Sequence, residues 1–178
     1  MELGVHDLVT LNNDETPEEG YEHTKRLVKE IEGLNYKRYW FAEHHGSQEH
    51  ASSSPELMAA YMSAITEKLR LGTGGTMIMH YSPLKIAENF KTLTTLAPNR
   101  IDLGLGRAPG GGPDEINYLD NHYKKRFLIK GTPEHVEKIL ADEIETIDID
   151  ELMVYAPIFE ENARVQSYKH LAKIFNKI

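Results

Sequence analysis

Four short clusters in this 178-residue chain gather side chains capable of acid–base or anion chemistry. The first is Glu43-His44-His45, a carboxylate followed by two imidazoles. Imidazole titrates near neutral pH, so a histidine here could move a proton in a reaction. Alternate residues of an extended chain point to opposite sides, so one imidazole faces a site while the other packs against neighbouring helices. Two structural histidines capping a loop are the other reading. Adjacent histidines do not readily share one metal and no spaced third ligand follows them, which disfavours zinc. The second cluster, Gly72-Thr73-Gly74-Gly75, lacks the Lys-Ser/Thr of a P-loop and the spacing of a dinucleotide fingerprint. Its glycines mark either a bulge or the close approach of another group, such as a flat ring lying on a strand end. The third is His80-Tyr81-Ser82, whose serine is explained by capping a helix. The fourth runs from Gly104 to Gly112 and places Arg107 in a glycine-rich loop. A guanidinium fork beside exposed backbone amides is how an anion is held; a solvated surface arginine is the alternative.

These clusters need strand ends to hold them, and the pattern supplies strands. Leu3 to Leu11 is bunched and apolar like a strand buried on both faces, ending in Asn12-Asn13-Asp14. Thr16-Pro17-Glu18-Glu19 then opens a helix to about Glu32. The unit repeats: Tyr39 to Glu43 is a strand, and Ser54-Pro55-Glu56 opens a helix carrying Leu57, Met58, Tyr61, Met62 and Ile65. Leu69 to Met79 is a third strand, with a helix from Ser82-Pro83-Leu84 to about Leu96, and Arg100 to Gly106 is a fourth. After Gly112 the rhythm changes. Phe127 to Ile129 is a doubtful strand, Thr132-Pro133-Glu134 caps a helix, Glu151 to Tyr155 is a last strand, and Asn162 to Phe175 a last helix. Successive βα units imply parallel strands with right-handed crossovers, hence an α/β barrel or an open doubly wound sheet. In either, the C-terminal ends of the strands bind ligands, and the clusters, including the Arg107 loop, sit there. A complete eight-stranded barrel takes about 250 residues, so this chain falls short of one.

Composition bounds the rest. An apolar fraction of 40% and a charged fraction of 27% suit one soluble domain over residues 1–178. No segment approaches the roughly 18 unbroken apolar residues of a membrane span. A net charge of −8 argues against a nucleic-acid partner. The absence of cysteine excludes disulfides and thiol nucleophiles and fits a cytoplasmic location.

Taken in order, Tyr39 to His45, Ala51 to Glu56, Gly74 to Lys85 and Arg100 to Gly111 resemble the N-terminal half of the bacterial luciferase-like flavin monooxygenase family. Gly131 to Val136 and Glu151 to Pro157 are similar to that family's closing segment. The resemblance implies an incomplete TIM-type (β/α) barrel of about five to six βα units. Residues 1–112 would supply the first four units, 113–130 a shortened connection in place of the middle of the barrel, and 131–178 the closing segment. It further implies reduced FMN, supplied by a separate reductase, and oxidation of an aldehyde or other small organic substrate with O2. His44 would be the catalytic acid/base near the flavin, Gly74 and Gly75 would lie against the isoalloxazine ring with His80 nearby, and Arg107 would pair with the FMN phosphate. Because the shortened connection removes part of the pocket wall, two alternatives accompany this expectation: a homodimer that completes the wall, and a non-catalytic flavin-binding remnant.

Overall fold

Apolar side chains at alternate strand positions require a layer of helices on one face, and this requirement organises the molecule. The computed structural model describes residues 2–106, 132, 134–138, 151–158 and 160–175. Met1–Gly106 and Glu151–Ile178 form one unit and Arg107–Asp150 a second. In the first unit the order is β1 (Glu2–Asp7), α1 (Pro17–Gly33), β2 (Arg38–Phe41), α2 (Pro55–Ser63), β3 (Arg70–Met77), a 3₁₀ turn (Ile78–His80), α3 (Pro83–Leu96), β4 (Ile101–Gly106), β5 (Glu151–Val154) and α4 (Glu161–Ile174). The strands form one sheet in the order β4-β3-β2-β1-β5, and every pairing is parallel. With β5 beside β1 and helices between the first four strands, the architecture is an incomplete TIM-type barrel, as expected. The doubtful strand at Phe127 lies outside the described residues. In the second unit, residues 134–138 are helical and the Thr132 hydroxyl accepts the His135 N–H at 3.4 Å.

The two faces of the sheet differ in chemistry. Leu3 and Val5 of β1, Tyr39 and Phe41 of β2 and Leu71 of β3 point to the helices, where they join Leu27, Val28 and Ile31 of α1, Met58 and Met62 of α2, and Tyr168 and Ala172 of α4 in one buried core. Each fully buried residue of this size contributes about 1.5–3 kcal/mol. Buried phenols are satisfied: the Tyr39 hydroxyl donates to Asp7 Oδ2 at 2.5 Å and the Tyr36 hydroxyl to the Tyr168 carbonyl at 3.0 Å. The opposite face carries Gly4, His6, Arg38, Trp40, Arg70, Gly72, Gly74 and Asp102, the set that alternates with the core residues. There Arg38 Nε bonds Glu151 Oε1 at 2.5 Å and Arg38 Nη1 bonds Asp102 Oδ2 at 2.8 Å, while Arg70 also pairs with Asp102. The Trp40 indole N–H donates to the same carboxylate at 3.0 Å.

Several boundaries differ from the sequence expectation for identifiable reasons. β1 stops at Asp7 instead of Leu11, because the Asp7 carboxylate accepts the Val9 N–H at 2.9 Å and Val9 takes a positive φ of 51°. β3 ends at Met77, where the chain tightens into the 3₁₀ turn. Thr16 forms the full capping box with Glu19, but the side chains of Ser54 and Ser82 make no cap bond. The serine of the third cluster is therefore not explained as a cap; proline at the first turn starts those two helices. Of the large apolar residues that the sequence placed on this helix, Met58 and Met62 are buried, whereas Leu57 stands 66% exposed.

Close backbone approach fixes Gly104 of β4, where an added methyl group would overlap the Thr73 carbonyl oxygen. Gly33, near the end of α1, faces open space. Gly104→Ala should destabilise by about 1–3 kcal/mol through overpacking. Gly33→Ala should be neutral or stabilise by up to about 1 kcal/mol. Urea midpoints of the two variants against the parent protein check both; a Gly104→Ala protein as stable as the parent would contradict the β3–β4 packing.

Candidate active site at the strand ends

The parallel sheet delivers three of its strand ends to one edge, and the histidines collect there. β1 presents His6, whose Nε2 lies 2.5 Å from the Gly74 carbonyl oxygen of β3. A carbonyl only accepts, so His6 donates from Nε2. Beyond β2 the chain turns through Glu43-His44-His45 and folds back along residues 9–11, with Leu11 N–H to the Glu49 carbonyl at 2.8 Å and Ala51 N–H to the Val9 carbonyl at 2.9 Å. This return brings His50 onto His44: their rings stack with centroids 4.3 Å apart and planes 17° from parallel. His44 is half-buried, and its buried Nδ1 has no hydrogen-bond partner. Burial, reinforced by the neighbouring imidazoles of His50, His6 and His45, lowers the His44 pKa to about 4. Near pH 7 it is a neutral imidazole. His50 is also lowered, chiefly by burial.

Glu43 has no exposed side-chain surface. Its Oε1 accepts from the Tyr81 hydroxyl and from His45 Nε2, each at 2.6 Å, and its Oε2 accepts the Met77 N–H at 2.9 Å. Burial alone would push its pKa up, but these donors outweigh burial and hold it below the usual carboxylate range. Burial first, and then Glu43, push the Tyr81 phenol up to about 12. His45 is 48% exposed, and its ring lies 6.2 Å from that of His80 on the 3₁₀ turn.

The two glycines of β3 are held by different neighbours. A side chain at Gly74 would meet the His6 ring at 3.0 Å and Trp40 Cβ at 3.2 Å, and one at Gly75 would meet the backbone of Leu105 and Gly106 at 2.7 Å. The peptide between them is cis. Protein groups therefore account for the missing side chain at both positions, whichever molecule lies against them. Among the described residues no group of three or more His, Asp or Glu could hold a metal ion, and no helix is long and apolar enough to cross a membrane.

The family model described as luciferase-like monooxygenase matches residues 1–140. The chain belongs to the luciferase-like monooxygenase family. An N-acetyl-S-alkylcysteine monooxygenase of Bacillus subtilis (strain 168) is 43% identical over 125 residues, which are 70% of this chain and 37% of that protein. A luciferase-like monooxygenase of Escherichia coli (strain K12) is 43% identical over 116 residues, covering 65% of this chain and 35% of the relative. The chain thus spans little more than a third of the length of these relatives. Among solved structures, apo-MsnO8 is 34% identical with a TM-score of 0.61, covering 79% of this chain and 41% of the other. The fold is shared with the oxygenating constituent of 3,6-diketocamphane monooxygenase from the CAM plasmid of Pseudomonas putida, a type II Baeyer–Villiger monooxygenase in complex with FMN. There the TM-score is 0.57 and the identity 16%, over 82% of this chain and 40% of that one.

In this luciferase-like chain the edge gathers much of what the sequence singled out. His6 bonds Gly74 and also acts on the charge of His44, and His80 stands near His45. Arg107 lies outside the described residues. Sequence reasoning passed over His6 and His50, and it named Glu43 in the first cluster without giving it a role. His6 carried one signal, a polar residue in phase with Gly4 and out of phase with Leu3 and Val5.

A His44 pKa of about 4 has a consequence for stability. The unfolded chain protonates this residue at about 6.5. Below that value the unfolded state binds more protons than the folded one, so stability falls as pH drops from about 6.5 toward about 4 and is fully present above that window. Urea midpoints between pH 7 and pH 5 should drop more for the parent protein than for His44→Gln. Equal drops would show that His44 titrates alike in both states.

Proposed function

We propose that this chain forms the flavin side of an FMN-dependent oxidoreductase that oxidises a small organic substrate with O2. The observation that carries this reading is the half-buried, neutral His44, whose unpartnered Nδ1 sits beside the edge where His6 fixes Gly74. Gly74 and Gly75 would lie along the ring system, with His80 at its margin. Arg107 would hold the phosphate, since a guanidinium pairs with phosphate through parallel donors. When bound, reduced FMN supplies two electrons for dividing O2 between substrate and water. His44 would take up and return a proton near the reacting part of the flavin, the role that the family resemblance implies for it. Family membership supports the reading. The reduced flavin would come from a separate reductase in the cytoplasm.

Among the described residues five strands provide one side of a barrel, and oxidation chemistry of this kind needs water kept out. We therefore assign the other side to a second copy of the chain in a homodimer. β4 stands at the end of the described sheet with Leu103 and Leu105 45% and 59% exposed, apolar surface suited to such a contact. The second reading, a flavin-holding protein without turnover, rests on the same open geometry.

An anaerobic titration with oxidised and photoreduced FMN, followed by absorbance and flavin fluorescence, tests the reading. Saturable binding stronger for FMN than for riboflavin is expected. His44→Ala should leave affinity nearly intact and abolish turnover, whereas Arg107→Ala should weaken FMN more than riboflavin by about tenfold or more. Equal losses for the two ligands would refute the phosphate assignment, and no binding at all would end the flavin reading. Light scattering should report a dimer at micromolar concentration; a monomer would count against the shared wall. Flavin binding with no oxygen consumption would favour the second reading.

A further inference from the structure

Glu43 belongs to no role that the flavin reading requires, yet it is the most completely buried acid at the site edge. Placing a carboxylate out of water costs several kcal/mol unless donors compensate it. Here three donors converge on its two oxygens, and each comes from a different segment: Met77 N–H from the end of β3, the Tyr81 hydroxyl from the entry to α3, and His45 Nε2 from the loop after β2. His44 stands between Glu43 and His45, and Gly74-Gly75 lies just upstream of Met77. The carboxylate therefore spans the gap between the histidine loop and the glycine strand at the point where the proposed ligand would contact both.

We propose that Glu43 is the positioning residue of this edge: its buried carboxylate locks the His45 imidazole in one orientation and fixes the His44 loop against the Gly74–Met77 segment. The proposal rests on the flavin reading for its functional meaning, but the geometry it describes exists without ligand. His45 donates from Nε2 to Glu43, which leaves Nδ1 as the acceptor of the half-exposed ring. The Tyr81 hydroxyl, 3.5 Å from the same Nε2, donates to the carboxylate and keeps that side of the ring closed. Substituting an amide at position 43 offers one acceptor atom in place of two, so at least one of the three donors must be turned away.

Protein labelled with ¹⁵N tests this with two signals, the imidazole nitrogens of His45 and the exchange rate of the Met77 amide. The parent protein should show His45 as the Nε2–H tautomer and a slowly exchanging Met77 amide. Glu43→Gln, with its thermal midpoint checked, should lose one or both signals and bind FMN about tenfold more weakly or worse, as expected for a lost charge-assisted bond. Glu43→Asp should restore part of both, and Tyr81→Phe should loosen the same signals to a smaller extent. If Glu43→Gln does not fold, Tyr81→Phe is decisive by the same two signals. Unchanged His45 and Met77 signals in a folded Glu43→Gln protein overturn the proposal. So does loss of the signals with FMN affinity unaltered. A parent protein that binds no FMN would sink the flavin reading alone, because the tautomer and amide exchange report the hold of Glu43 with no ligand present.

Discussion

The sheet depends on one charged crossing on the face opposite the helices. Arg38 of β2 reaches over β1 to Glu151 of β5 in one direction and over β3 to Asp102 of β4 in the other. The reach is open only because glycines occupy the intervening strands. A side chain at Gly4 would meet Met153 and Arg38, and one at Gly72 would lie 2.5 Å from the Asp102 carbonyl oxygen. Asp102 is shielded from water and shared among Arg38, Arg70 and the Trp40 indole, so its negative charge is matched at every side. Partly buried pairs of this sort contribute modestly as pairs, but removing one partner leaves a stranded charge. Their value here is geometric. They set which residues of five strands lie side by side, and thereby which side chains arrive at the strand ends.

That edge shows two opposite treatments of ionisable groups. Glu43 keeps its charge inside the protein because three donors surround it, whereas His44 loses its charge because burial outweighs the opposing pull of the Glu43 carboxylate. The neighbours of His44 are other imidazoles, which discourage its protonation further. One acid held ionised and one base held neutral thus stand adjacent in sequence at the same edge. His6 adds the third element by joining β1 to the Gly74 carbonyl, so the frame extends across the first three strands.

Much of this was legible in the sequence, for reasons that can be named. The alternation of bunched apolar residues with capped amphipathic stretches reports burial on the helix side, so Leu3, Tyr39 and Leu71 announce their strands. His44 and Gly74 stood out by type and by position at strand ends. The end of β1 was not legible, since Asp7 halts the strand by accepting the Val9 amide while Tyr39, 32 residues away, bonds its other oxygen. His6 escaped notice, and the role of Glu43 was hidden, for the same reason. Their partners lie 68 residues away at Gly74, and 34 and 38 residues away at Met77 and Tyr81, and no local pattern encodes such a meeting. The exposed leucine of α2 illustrates the converse limit: helical spacing marks Leu57 and Met58 alike, and only the packing of α2 on β3 separates them.

The spacing of the Arg38 crossing carries a consequence for how the molecule is made. Strands β1 to β4 are neighbours in sequence as well as in space, so they can pair in the order in which they are synthesised, each closing a short loop. Glu151 arrives 113 residues after Arg38. Among the described strands β5 is the last to be synthesised, and its pairing with β1 closes the largest sequence separation in the sheet.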